Sequence, residues 1–192
     1  MPNKDPMRVL GVVGSPRRGG NTDILVDHIL KGARDAGAAV EKVMLNDLRI
    51  ALCQACYSCE TAGQCIHVDD MEGLFEKLHA SGVWVLGTPV YWWGPSTLMK
   101  AFMDRWFAKV RSRDSRDILS GHSVVLAVPM GDTDAGTARH VVGMFEDSMR
   151  FLNSKVVESV LAPGAYDAGD VKKMQDVLER ARLAGEHAVG GK

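Results

Sequence analysis

An α/β fold, a three-layer doubly wound sheet of five parallel strands, is predicted by three features of this sequence. Apolar runs of strand length alternate with segments of helical period, two of the runs are apolar nearly throughout, and a glycine-rich polar turn separates the first run from the first helix. The two continuous runs, Val83-Trp-Val-Leu-Gly-Thr88 and Ser123-Val-Val-Leu-Ala-Val128, have the pattern of central parallel strands covered on both faces. Strict βα alternation with right-handed crossovers puts helices on both faces and a ligand crevice at the carboxyl edge of the strands.

In chain order, Arg8 to Val13 is the first strand, and Asp23 to Ala36 sets Leu25, Ile29, Gly32, Ala33 and Ala36 on one face of a helix capped by Asn21 or Thr22. Ala39 to Leu45 reads as the second strand. Met71, Leu74, Phe75 and Leu78 mark a second helix, with Asp69 and Asp70 at its N-terminal end. The third strand, Val83 to Thr88, leads into a helix from Ser96 to Val110, and the fourth, Ser123 to Val128, into one carrying Ala138, Val141, Val142, Phe145, Met149 and Leu152. Lys155 to Leu161 alternates more and reads as an outer strand; Val171, Met174, Leu178 and Ala181 belong to the closing helix, after which Gly190-Gly-Lys192 looks frayed.

The 192 residues suit one domain, 1–192, with a substantial core. A formal net charge of −1 with 24% charged residues gives no basic field for nucleic acid and no acidic excess, so the partners are expected to be small molecules. The N-terminal Met-Pro-Asn-Lys-Asp-Pro lacks an apolar segment behind its charges, and no stretch approaches the ~18 apolar residues of a membrane span. A cytoplasmic protein without membrane contact is the expectation. None of the six histidines lies in a recognisable nucleophile motif, which argues against a hydrolase.

The turn Gly14-Ser-Pro-Arg-Arg-Gly-Gly-Asn-Thr22 has the makings of an anion site: glycines that bend the backbone, donors from Ser15, Arg17, Arg18, Asn21 and Thr22, and the start of a helix. A nucleoside-triphosphate loop requires Gly-x4-Gly-Lys-Ser/Thr, and here Gly19 is followed by Gly20 and Asn21, so the lysine is missing. The Gly-x-Gly-x-x-Gly spacing of a dinucleotide loop is absent as well. A terminal phosphate monoester fits better.

Gly-Ser-Pro-Arg-x-Gly-Gly-Asn-Thr after a first strand closely resembles the FMN-phosphate loop of the NADPH-dependent FMN reductase and iron-sulfur flavoprotein families. The resemblance continues through Cys53-x2-Cys56-x2-Cys59-x5-Cys65, Asp69-Asp70-Met71, and Thr88-Pro-Val-Tyr-Trp-Trp-Gly-Pro-Ser96 running into Lys100-Ala-Phe-Met-Asp-Arg105. It implies a flavodoxin-like fold with strand order 2-1-3-4-5, and hence convergence of the loops after strands 1, 3 and 4. It also implies FMN, with the phosphate at Ser15, Arg17, Arg18, Gly19, Gly20, Asn21 and Thr22. The ring would lie against Pro89, Val90, Tyr91, Trp92, Trp93 and Gly94, whose backbone N–H groups meet its polar edge, with Met130, Gly131 and Asp132 completing the site. Trp92 and Trp93 are equally readable as plugs of the core or of an interface. NAD(P)H is the implied electron donor, the chemistry belongs to flavin N5, and no side chain need act as a catalytic acid or base.

The cysteines lie in a stretch, 46–69, with little periodic signal, and loops of that length in compact domains are usually functional. In a cytosolic setting Cys53, Cys56, Cys59 and Cys65 read as metal ligands or redox-active thiols. The resemblance implies a [4Fe–4S] cluster; free or mutually oxidisable thiols and a zinc site stay open. Three functions follow: an NAD(P)H-dependent FMN oxidoreductase acting on a quinone, nitro or azo compound or flavin; an iron-sulfur flavoprotein electron carrier serving protein partners; and a zinc-stabilised binding module. The helix from Ser96 to Val110, with Leu98, Met99, Phe102, Met103, Trp106, Phe107 and Val110 spread over an arc of about 180°, is wider than one sheet face needs. A homo-oligomer, dimer or dimer of dimers, is expected to cover the excess.

Overall fold

The computed structural model describes residues 6–111 and 116–191. The readings of the N-terminal residues 1–5 and of Lys192 lie outside the described residues. Five strands, β1 (Arg8–Val13), β2 (Ala39–Met44), β3 (Val83–Gly87), β4 (Ser123–Met130) and β5 (Lys155–Pro163), form one sheet in the order β2-β1-β3-β4-β5, with every neighbouring pair parallel. β3 is buried along its whole length and β4 from Val124 onward, as their unbroken apolar sequences require.

Alternation along β1 splits the core in two. Val9 and Val13 face α1 (Asn21–Asp35) and the closing helix, whereas Leu10 and Val12 face the helices that follow β2, β3 and β4. In chain order the short α2 (Ser58–Thr61) is followed by α3 (Met71–His79), α4 (Thr97–Asp104), α5 (Phe107–Arg111), α6 (Arg139–Phe151) and α7 (Gln175–Gly190). On the α3 side, Trp84, Phe102 and Phe145 are fully buried. On the other side, α1 and α7 pack through Ile29, Ala33, Leu178, Ala181 and Ala184 and approach backbone to backbone at two glycines. A Cβ on Gly32 would stand 1.8 Å from the carbonyl oxygen of Arg182, and one on Gly185 1.9 Å from that of Ile29.

Four sequence readings are corrected. The Ser96–Val110 helix is two, α4 and α5, separated at Arg105 and Trp106; the buried pairing of Arg105 described below explains the break, and the continuous 180° arc does not exist. Met99, Phe102 and Trp106 are core residues, while Leu98, Met103, Phe107 and Val110 are half-buried. α1 starts at Asn21 with Gly20, which has no side chain to cap it, at the cap position, and the Asn21 amide is committed to the β5 loop. Val171 lies not in the closing helix but in a separate 3-10 turn, Asp170–Lys173, and that helix then runs through Gly190 to a left-handed Gly191 rather than fraying.

Candidate functional site

The carboxyl ends of β1, β3, β4 and β5 surround a cavity of about 510 Å³, a volume in the range of small-molecule sites. It brings together nine of the residues singled out from the sequence: Ser15, Arg17, Asn21, Pro89, Val90, Tyr91, Met130, Gly131 and Asp132. Pro129, Ala165, Tyr166, Asp167 and Ala168 complete the lining. The last four follow β5, a loop the sequence reading passed over although Ala162-Pro-Gly164 ends a strand at the same edge of the sheet.

Bonds between loops hold this edge together. The Gly14 N–H donates to the Gly87 carbonyl at 2.7 Å, and the buried Ser96 hydroxyl donates to the Gly14 carbonyl while accepting the Met99 N–H at 3.1 Å, which caps α4. Thr88 accepts the Ser96 N–H at 2.9 Å. Asn21 occupies a comparable joint: its amide nitrogen donates to the carbonyls of Ala165 (3.1 Å) and Asp167 (2.8 Å), and its oxygen accepts from the N–H groups of Gly169 (3.0 Å) and Val171 (3.2 Å). Its side chain is therefore the fastener of the β5 loop, and only its backbone N–H is left for an anion.

The rest of the glycine-rich turn is partly spent as well. The Arg18 guanidinium turns outward to Asp47, and the Gly19 N–H donates to Asp23 at 2.8 Å. The Gly20 N–H closes onto the Arg17 carbonyl, and the Thr22 side chain is buried against Gly87. Arg17, Ser15 and the first-turn N–H groups of α1, which have no intrahelical acceptor, are what this turn presents to the cavity.

In the loop after β3, the Val90 N–H donates to Pro129, and Tyr91 and Gly94 exchange N–H···O bonds across a tight turn. Of the backbone donors expected from Val90 to Gly94, only those of Trp92 and Trp93 are not spent in this way. Both tryptophans have positive φ, 50° and 60°, the conformation of a type I′ turn. Their rings point outward, with Trp92 92% and Trp93 51% exposed, so neither plugs the core. At the rim, Asp132 accepts bonds from the Asp134 N–H (3.0 Å) and then the Thr137 hydroxyl (2.8 Å), which hold its carboxyl below the usual range. The Tyr166 ring lies over Gly131, 2.7 Å from where a Cβ would sit, so a side chain there would have to displace that exposed ring.

The four cysteines are far apart in sequence from this cavity and surround their own. Cys53, Cys56, Cys59 and Cys65 line a space of about 20 Å³ together with His67 and Arg105. Among the described residues, no three potential ligands converge in a metal-binding geometry. The donor set nevertheless suits a thiolate-bound centre, and burial, followed by the neighbouring Cys65, Cys53 and Cys56 sulfurs, pushes the Cys59 thiol up. Two side-chain nitrogens of residues that line this space, Arg105 Nε and His67 Nε2, are buried without a hydrogen-bond partner among the described residues. On that observation the residues fit an electron-rich occupant, while a space with room for about one water requires the loop to spread around anything larger.

The neck of the cysteine loop is closed by acids the sequence reading had assigned to a helix end. Asp70 accepts the Arg49 N–H at 2.7 Å. Asp69 accepts four bonds, from the N–H groups of Ala51 (2.9 Å) and Met71 (3.1 Å) and from Arg105 Nη1 (2.5 Å) and Nη2 (3.2 Å). Burial pushes the Asp69 carboxyl up, but these bonds outweigh it and hold the group below the ordinary carboxylate value. Arg105 is 3% exposed. Its sequence signal was weak, since an arginine in a helical segment ordinarily reads as a solvated charge.

Residues 7–167 match the family model described as NADPH-dependent FMN reductase. An iron-sulfur flavoprotein of Archaeoglobus fulgidus is 36% identical over 99 residues, 52% of this chain and 45% of the other; this chain spans about half the length of the first curated relatives it matches. A Bacillus subtilis protein provisionally described as an NAD(P)H-dependent FMN-containing oxidoreductase is 27% identical, with 91% of this chain and 94% of the other covered. Among solved structures, an NAD(P)H:quinone oxidoreductase from Methanothermobacter marburgensis superposes with a TM-score of 0.75 over 95% of this chain and 96% of the other, at 21% identity. That likeness bears on the fold.

Proposed function

The chain belongs to the NADPH-dependent FMN reductase family, and from that premise we propose that it is an FMN-dependent oxidoreductase, taking electrons from NAD(P)H and passing them to a quinone, a nitro or azo compound, or a flavin. The observation that carries this reading is the cavity at the strand edge, which joins Arg17 and the start of α1 to an apolar wall of Pro89, Val90 and Met130. Bound FMN would supply the two-electron exchange between donor and acceptor.

The chain's own residues then have distinct tasks. Ser15, Arg17 and the first-turn N–H groups of Asn21 and Thr22 would hold the phosphate, the guanidinium neutralising its charge and the helix start adding to it. Asn21 keeps the β5 loop closed over the same cavity. Pro89, Val90 and Met130 exclude water from the ring, and the Trp92 and Trp93 N–H groups remain for its polar edge. No side chain is required as an acid or base. The test is FMN titration and NAD(P)H oxidation with a quinone acceptor, wild type beside Arg17→Ala; absence of FMN binding at micromolar concentration sinks the reading.

The cysteine cavity favours a second reading, an iron-sulfur flavoprotein electron carrier serving protein partners, in which Cys53, Cys56, Cys59 and Cys65 hold a [4Fe–4S] cluster. The cluster would supply one-electron exchange. Iron and acid-labile sulfide assays on anaerobically purified protein separate the two, and a colourless zinc protein supports a binding module instead.

We further read the chain as a single cytoplasmic domain that forms a homo-oligomer. No helix among the described residues is long and apolar enough to cross a membrane. A groove of about 790 Å³ lined by Met103, Phe107, Val110, Met144 and Phe151, the last 72% exposed, supports contact with a second copy. A monomer by sedimentation at micromolar concentration overturns that part.

A further inference from the structure

Arg105 breaks the helical path between α4 and α5 and enters the protein with its charge. A buried guanidinium needs acceptors for its five N–H groups in a fixed plane. Here Nη1 donates to Asp69 and to the Ala51 carbonyl, and Nη2 donates to Asp69. Asp69 is itself saturated, because each of its oxygens accepts one backbone N–H and one guanidinium nitrogen. With both ends fixed the guanidinium cannot turn, and its Nε–H is left buried beside the cysteine cavity, with Cys65 close enough to interact.

His67 lies two residues beyond Cys65, and its Nε2 is also buried and unpartnered among the described residues, at the wall of the same cavity. Buried polar nitrogens of this kind are rare and ordinarily mark a missing acceptor. Among the described residues that line this cavity the four cysteines are the largest group of one kind, with Gln54, Tyr57 and Asp104 as the other polar side chains, and Asp104 is paired with Lys100. Their loop also carries backbone strain, since Ala55 and Tyr57, on either side of Cys56, both have positive φ, 51° and 58°.

We infer that Arg105 and His67 are positioning residues whose side-chain N–H groups donate to sulfur of the centre bound by Cys53, Cys56, Cys59 and Cys65. The inference rests on the reading that these cysteines hold an iron-sulfur cluster. Hydrogen bonds to sulfur and nearby charge help set the reduction potential of such centres. Donors aimed at sulfur stabilise the more negative, reduced form, so these two residues raise the potential. Asp69 acts one step further out by fixing the plane of the guanidinium.

The experiment is anaerobic iron and sulfide reconstitution of the full chain, wild type beside Arg105→Lys and His67→Phe, with metal analysis followed by redox titration. Arg105→Lys keeps the charge and removes the planar Nε donor; should it fail to fold, His67→Phe, which keeps a ring and removes its nitrogens, decides the matter. The expected result is unchanged iron and sulfide content with the one-electron equilibrium shifted at least tenfold toward the oxidised form, about 59 mV more negative. Full loading with potentials equal to wild type overturns the inference and leaves the cluster reading standing, as when a bridging water satisfies both nitrogens. A wild type that takes up neither iron nor sulfide overturns the cluster reading and the inference together.

Discussion

The two loops with chemistry in them are fastened in similar ways and finished in different ones. At the strand edge, the Asn21 amide makes four bonds to the 165–171 segment; at the cysteine neck, the Asp69 carboxylate makes four bonds to Ala51, Met71 and Arg105. Beyond the fastener they diverge. The glycine-rich turn spends most of its polar groups within the protein and leaves a small set, Arg17 and the start of α1, facing a cavity of ligand size. The cysteine loop hangs from the edge strand β2, and its cavity has room for about one water beside two buried side-chain nitrogens without partners among the described residues. The loop on the carboxyl edge of the sheet is completed by its neighbouring loops, whereas the cysteine loop is tied at its neck and, through Glu60 to Arg111 and Tyr57 against Phe107, to α5, with its thiols facing a space of their own.

The most severe way to break this contrast is Asp69→Ala. It strands a buried guanidinium and is expected to cost about 3–5 kcal/mol of stability, measured by urea unfolding; a loss under about 1 kcal/mol would mean that the neck does not fasten the loop. The same pair sets an acid limit. Because the folded Asp69 carboxyl lies below its unfolded value, its contribution is present above the unfolded pKa of about 3.9 and is lost as pH falls through the folded one. Wild-type stability should therefore decline below about pH 4 more steeply than that of Asp69→Asn.

At the other loop, Arg17→Ala should weaken FMN binding by about 1.5–3 kcal/mol, roughly tenfold or more, while apo stability stays within about 0.5 kcal/mol of wild type. Asn21→Ala should differ in kind. It leaves four backbone groups of the β5 loop without partners, so it is expected to lower apo stability by about 1–3 kcal/mol and FMN affinity with it. Equal apo stability in the two variants, read by thermal unfolding, would erase the distinction between a residue that meets the ligand and one that holds the wall.

The smallest effect concerns the type I′ turn. Replacing Trp92-Trp93 by Asn-Gly suits its two positive φ angles and should raise apo stability by about 1 kcal/mol. Activity should nevertheless fall if the exposed indoles serve the site. A variant both more stable and fully active would make the tryptophans dispensable to the reaction.

The sheet was legible because its evidence is repetitive. Val83 to Thr88 and Ser123 to Val128 repeat one pattern of burial, and the strand order followed from the resemblance and holds in the structure. The glycine-rich turn was legible as a locus but not as a set of roles. Arg17 and Arg18 are equal in sequence, yet one lines the cavity and the other pairs with Asp47, and the four partners of Asn21 lie more than 140 residues away. Arg105 was hidden by its surroundings, since a periodic apolar segment on both sides of it reads as one helix. The two helices are instead separated where the charge enters the protein.

The contact of Gly32 with Arg182 and of Gly185 with Ile29 bears on the same cavity from behind. α1 begins at the glycine-rich turn, α7 follows the β5 loop after the 3-10 turn Asp170–Lys173, and the Asn21 amide ties the start of α1 to that loop. At these two points backbone lies against backbone, so a methyl group at either glycine would force the helices apart locally. The family model stops at 167, yet the last helix lies backbone to backbone against the one that opens at the glycine-rich turn, so the segment beyond the matched residues is seated on the helix that carries the cavity's proposed phosphate end.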